Sequence, residues 1–158
     1  MSYGYSKLKF MLVYRVDQSH LTLIVATDKG IKVDNVVAGD KVPLGRPFPA
    51  QSLKNVVDLS LEDASPCVKV DDTWPGILEG HRAGMWTVAL TCSGNYMGLS
   101  YKEFKALSDL ELKEKRAHVE RVFQKSKPHY LIGKIAELPR VIEDINRKMK
   151  KREVPQTL

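Results

Sequence analysis

Asp71 and Asp72 stand side by side in "VKVDDTWPGILEGHRAGMWTV" (68–88), where a short apolar run ends. Two adjacent carboxylates repel each other unless something positive lies near them. A hard cation such as magnesium is one answer, because oxygen ligands at a rigid strand end suit it. The plainer alternative is that one Asp caps the following helix while the other is solvated. Spacing alone leaves both open. Arg46 in "GRPFP" (45–49) is the second candidate. Pro47 and Pro49 restrict the backbone around it, and a guanidinium held in this way can bind phosphate or carboxylate through two parallel hydrogen bonds. An ordinary surface arginine is the alternative.

These residues need elements to carry them. "DNVVAG" (34–39) reads as a short buried strand, followed by a Pro/Gly-rich loop. A helix fits 50–58, with Ala50, Leu53, Val56 and Val57 expected on its buried side. "PCVKV" is the next strand and runs straight into Asp71-Asp72-Thr73. Pro75 suits the first turn of a helix, since its missing N–H has no partner there. That helix passes Ile77, Leu78 and His81 and stops at Gly84, a natural left-handed cap. "MWTVAL" (85–90) is a strand again, with Met85 and Trp86 expected in the core. Ser100 with Glu103, and Ser108 with Glu111, are capping-box pairs. The second opens a helix through about residue 125, with Leu112, Val119, Val122 and Phe123 facing inward. "HYLIG" (129–133) is a last strand. A final helix follows, with Leu138, Val141, Ile142, Ile145 and Met149 on one stripe. Strands alternating with helices predict an α/β fold with a parallel sheet, and ligands in such a sheet bind beyond the carboxyl ends of the strands.

The whole chain is consistent with that. Its 158 residues suggest one domain, 43% hydrophobic and 28% charged. Two cysteines, Cys67 and Cys92, make neither a disulfide framework nor a zinc spacing, so a reducing cytoplasm is expected. No apolar run approaches a membrane span, and the N-terminus lacks a signal-peptide cleavage site. The net charge is +6, with much of the excess in "RKMKKR" (147–152). A basic helix end complements the macrodipole, and no aromatic–basic interleaving points to RNA. Neither nucleic acid nor membrane is expected as a partner. His81 and His129 have no acid, Ser or Cys at the spacing of a triad or zinc site, so both are expected to be structural or exposed.

"VAGDKVPLGRPFP" together with "VKVDDTWPGILEGHRAGMWTV" resembles the C-terminal half of the phosphonoacetaldehyde hydrolase (phosphonatase) family, in the haloacid dehalogenase superfamily. "SGNYMGLSYKEF", "HVERVF" and "HYLIGKIAELPRVIEDIN" agree with it. The likeness runs from about residue 30 to about residue 147. It implies a three-layer, Rossmann-like core with a parallel sheet, here incomplete at the N-terminus and without a cap domain. It divides the chain into a divergent segment 1–23, a partial core 24–150 and a basic tail 151–158. It also implies magnesium (Mg2+) as cofactor, a small phosphonate as substrate and a homodimer as the family's assembly. The family cleaves the carbon–phosphorus bond of phosphonoacetaldehyde, using a core Asp nucleophile and a Schiff-base Lys. Within that scheme Arg46 corresponds to the basic active-site residue and Asp72 to the magnesium-binding acid. Asp71 is its neighbour and is counted with it as a metal residue. Thr73 orients the acidic loop. Gly76 stands where some relatives carry a further acid.

The sequence departs from the family at its start. No D-x-A-G-T segment and no cap lysine are visible. Asp17 in "VYRVDQSHL" follows a strand-like run but is followed by His20-Leu21 rather than Gly-Thr, and it is not expected to serve as the nucleophile. The expectation is therefore a fragment of a phosphonatase, inactive alone. The alternative is a short binding or interaction protein derived from the family, with no catalysis. Either way, Asp72 and Arg46 are expected to converge at one rim of a shared sheet.

Overall fold

The computed structural model describes residues 11–13, 30 and 33–158. Asp17 and most of the segment 1–23 lie outside the described residues. The chain divides into two compact units, Met1–Glu62 and Asp63–Leu158.

In the first unit, β1 (Met11–Val13) pairs in parallel with β2 (Asn35–Val37), Leu12 opposite Val36. A turn of 3-10 helix at Gly39–Lys41 follows, then the loop that carries Arg46, then α1 (Ala50–Asp58). The helix has the expected bounds and buries Val56 as expected, but the rest of its buried side differs. Gln51, Ser52, Asn55 and Val56 are buried, whereas Leu53 and Val57 are exposed. Polar groups on this side meet their partners on β2. Gln51 Nε2 donates to the Val37 carbonyl at 3.3 Å, and Asn35 Nδ2 donates to Asn55 Oδ1 at 3.0 Å. Buried amides paired in this way avoid the desolvation cost of unmet hydrogen bonds. The apolar count along α1 could not anticipate this.

The second unit is a three-stranded parallel sheet in the order β3-β4-β5, formed by Val68–Asp71, Trp86–Leu90 and Tyr130–Ile132. Its register sets Val70 beside Val88 and Ala89 beside Leu131. α2 (Trp74–Arg82) connects β3 to β4. α3 (Tyr101–Ala106) and α4 (Asp109–Phe123) lie between β4 and β5, and α5 (Leu138–Lys150) follows β5. Side chains alternate across each strand. On one face Trp86, Val88 and Ile132 pack with Val141 and Ile145 of α5. On the other, Ala89 packs with Ile77 of α2 and with Val119 and Phe123 of α4. Helices on both faces of a parallel sheet make the α/β core expected from the sequence.

Local signals hold well in this unit. Ser100 and Ser108 both form complete capping boxes, with Glu103 and Glu111. Gly84 has φ +74°, the left-handed conformation that glycine adopts without strain. No described helix is long and apolar enough to cross a membrane.

Candidate functional site: an acidic turn at the carboxyl end of β3

β3 ends at Asp71, and the chain turns at once into α2. Strand pleating sends successive side chains to opposite sides, so the two aspartates part company. Asp71 points inward and is buried. Its Oδ1 accepts hydrogen bonds from the Thr73 backbone N–H at 2.9 Å and from Thr73 Oγ1 at 2.7 Å. Its Oδ2 lies 3.5 Å from Lys69 Nζ. Asp72 is half-buried on the other side of the turn. Its Oδ2 accepts the Asn95 backbone N–H at 2.8 Å, which ties the turn after β3 to the loop after β4.

Thr73 is the N-cap of α2, accepting the Gly76 N–H at 3.3 Å. The first amides of α2 are thereby committed within the protein. The Trp74 N–H donates to Tyr96 Oη at 3.3 Å, and the Ile77 N–H to the Thr73 carbonyl at 3.1 Å. A helix N-terminus can bind phosphate only where its N–H groups are available. The chemistry left at this turn is that of the Asp72 carboxylate.

Two glycines make room for the turn. A β-carbon on Gly76 would lie 2.1 Å from Asp71 Cγ, and one on Gly94 would lie 2.4 Å from Asp72 Cβ. Asp71 therefore occupies the space that a side chain at position 76 would need. Arg46 sits in the first unit, half-buried, joined to Pro47 by a cis peptide bond in a turn closed by the Phe48 N–H to the Gly45 carbonyl at 3.1 Å.

Magnesium asks for about six oxygen ligands in near-octahedral order. Among the described residues Asp72 Oδ1 accepts no hydrogen bond, so one carboxylate oxygen of the right chemistry is uncommitted. No group of three or more His, Cys, Asp or Glu side chains is gathered for a metal among the described residues. A carboxylate oxygen of this kind suits magnesium, and alone it would fill one of about six places.

Sequence reasoning passed over Asn95, Lys69 and Glu79. Asn95 contributes a backbone N–H and leaves no trace in residue type. Lys69 and Glu79 did leave one: each is an ionisable residue inside an apolar pattern, a position that is rarely filled unless the charge is paired. His81 and His129, expected to be structural or exposed, meet through Thr87. Thr87 Oγ1 is 3.2 Å from His81 Nε2 and 2.8 Å from His129 Nδ1. They lie at the opposite end of the sheet from Asp72, since Thr87 is the second residue of β4 and His129 immediately precedes β5.

The chain as a whole is similar to known proteins. A phosphonoacetaldehyde hydrolase of Pseudomonas aeruginosa strain UCBPP-PA14 is 58% identical over 132 residues, 84% of this chain and 48% of the relative. One of Pseudomonas fluorescens strain SBW25 is 56% identical over 133 residues, again 84% and 48%. The crystal structure of a phosphonoacetaldehyde hydrolase-like protein from Oleispira antarctica superposes with a TM-score of 0.81 at 43% identity, covering 84% of this chain and 48% of that one. A further solved structure, 18% identical with a TM-score of 0.69, shares the fold alone. No protein-family model matches the chain. The chain spans about half the length of the curated relatives it matches. Across that half, this chain is similar to phosphonoacetaldehyde hydrolases at more than one identical residue in two.

Proposed function

We propose that this chain carries the acidic-turn and basic-loop portion of a phosphonoacetaldehyde hydrolase, acting on phosphonoacetaldehyde to give acetaldehyde and phosphate. The observation that carries the reading is Asp72: an outward carboxylate at the carboxyl end of a parallel strand, with one oxygen fixed by the Asn95 amide and the other uncommitted among the described residues. Its setting within a sequence 58% identical to a named hydrolase supplies the substrate class.

In this reading Asp72 holds magnesium, and Asp71 and Thr73 shape the turn that presents it. Bound magnesium supplies a Lewis acid that screens phosphoryl oxygens from an incoming nucleophile. Arg46 contributes a permanent positive charge for the phosphonate. In this reading the nucleophile and the Schiff-base lysine implied by the resemblance come from outside this chain, and their steps are not assigned to it. Homodimer assembly and a cytoplasmic location belong to the same reading.

A second reading is an interaction protein without catalysis. Leu44, Phe48, Leu53 and Val57 of the first unit are all exposed, and exposed apolar area favours association. The test joins this chain to the half of the P. aeruginosa relative that it does not match. Acetaldehyde release is then followed by coupled NADH oxidation. The expected result is turnover that falls at least 100-fold in Asp72→Asn, with weakened Mn2+ binding read by electron paramagnetic resonance. A folded chimera without turnover, or one indifferent to Asp72→Asn, refutes the hydrolase reading. The 158-residue chain alone is expected to release no acetaldehyde above background.

A further inference from the structure

Lys69 and Asp71 lie two apart on β3, so they share the face covered by α2. Both are buried, and so is Glu79 of α2. Lys69 Nζ is 3.1 Å from Glu79 Oε2 and 3.5 Å from Asp71 Oδ2. The fold makes room for this arrangement at Gly80, where a β-carbon would lie 2.7 Å from Lys69 Cβ and 2.8 Å from Thr87 Cγ2. The lysine stem thus runs in a slot beneath α2, and its ammonium reaches two carboxylates with little water. A buried ion pair is weak as a source of stability, and its better-attested use is to impose one arrangement.

The arrangement imposed here is the acidic turn. Asp71 uses its remaining oxygen to hold both donors of Thr73, and Thr73 caps α2. Asp72, between them, is thereby turned toward the loop after β4. We propose that Lys69, braced by Glu79, is a positioning residue: through Asp71 and Thr73 it sets the orientation of Asp72. Its functional meaning rests on the reading of Asp72 as the magnesium acid, while the orientation can be measured without any metal.

The Asn95 amide is the reporter, because its N–H donates to Asp72 Oδ2. The 15N-labelled full chain is compared with Asp72→Ala, Lys69→Met and Lys69→Arg. Lys69→Met keeps most of the stem and removes the charge. Its Asn95 amide proton is expected to move at least half as far as in Asp72→Ala, while strand amides such as Val88 stay put. Lys69→Arg is expected to restore the native position. Should Lys69→Met fail to fold, the double variant Lys69→Met/Glu79→Leu removes the stranded carboxylate and serves in its place. A folded variant whose Asn95 signal is unchanged overturns the proposal, as does a shift spread evenly over β4. Mn2+ titration of the same samples separates the two readings. If Asp72→Ala leaves Mn2+ affinity unaltered while Lys69→Met moves Asn95, the metal reading falls and the positioning role stands. If Asp72→Ala abolishes Mn2+ binding and Lys69→Met leaves Asn95 in place, the positioning role falls alone.

Discussion

Asp71 fills the space that a side chain on Gly76 would occupy: a β-carbon there would come within 2.1 Å of the Asp71 Cγ atom. A side chain at position 76 would have to displace the inward-facing Asp71 carboxylate. Gly76→Ala is therefore expected to destabilise the second unit by about 1–3 kcal/mol, the usual range for overpacking a filled interior. Chemical denaturation of both proteins measures it. Gly76→Ala combined with Asp71→Gly should recover part of the loss, because the second change empties the contested space.

Gly94 stands in the same relation to Asp72, with a β-carbon 2.4 Å from Asp72 Cβ. Gly94→Ala should push the Asp72 side chain off the Asn95 amide. The expected outcome is weaker Mn2+ binding with a near-native circular dichroism spectrum. Unchanged binding would mean that Asp72 needs no hold from that loop.

Burial, and next the neighbouring His81, keep His129 below the ordinary histidine value of 6.5. The unfolded chain therefore binds more protons in this range than the folded one. Stability from this group is complete above about pH 6.5 and declines as pH falls through that value toward the folded pKa. Melting temperatures measured from pH 8 to pH 5 should drop toward acid, and less steeply in His129→Gln.

Burial, with Asp63 beside it, pushes the Cys67 thiol up to about 11. Only the thiolate reacts with disulfide reagents, so at pH 8 the folded thiol should react on the order of 100-fold more slowly than the unfolded one. Following Ellman's reagent with and without denaturant, in a Cys92→Ser background, tests this.

In the chimera described above, Arg46→Ala should remove about 2–4 kcal/mol of transition-state stabilisation, the scale of a charge-stabilising group. Arg46→Lys should recover only part of it, since an ammonium cannot form the paired contact of a guanidinium. The ratio of kcat/KM values reads both.

What the sequence determined by itself is what neighbours along the chain decide. The bounds of α1, the capping boxes at Ser100 and Ser108, the stop at Gly84 and the strand running into Asp71-Asp72-Thr73 all follow from contacts within a few residues. So does the placing of an acidic turn at a strand's carboxyl end. Tertiary structure decided which way each side chain of that turn faces. It sent Asp71 to Lys69 and Asp72 to Asn95, twenty-three residues along. It buried Gln51 and Asn55 and left Leu53 and Val57 exposed, because β2 offered α1 hydrogen-bond partners that hydrophobicity does not count. It also joined His81 and His129 through Thr87, although their positions gave no reason to pair them. Local patterns carry propensity and periodicity, whereas the environment of a buried charge is made by residues distant in the chain and exists only once the sheet has formed.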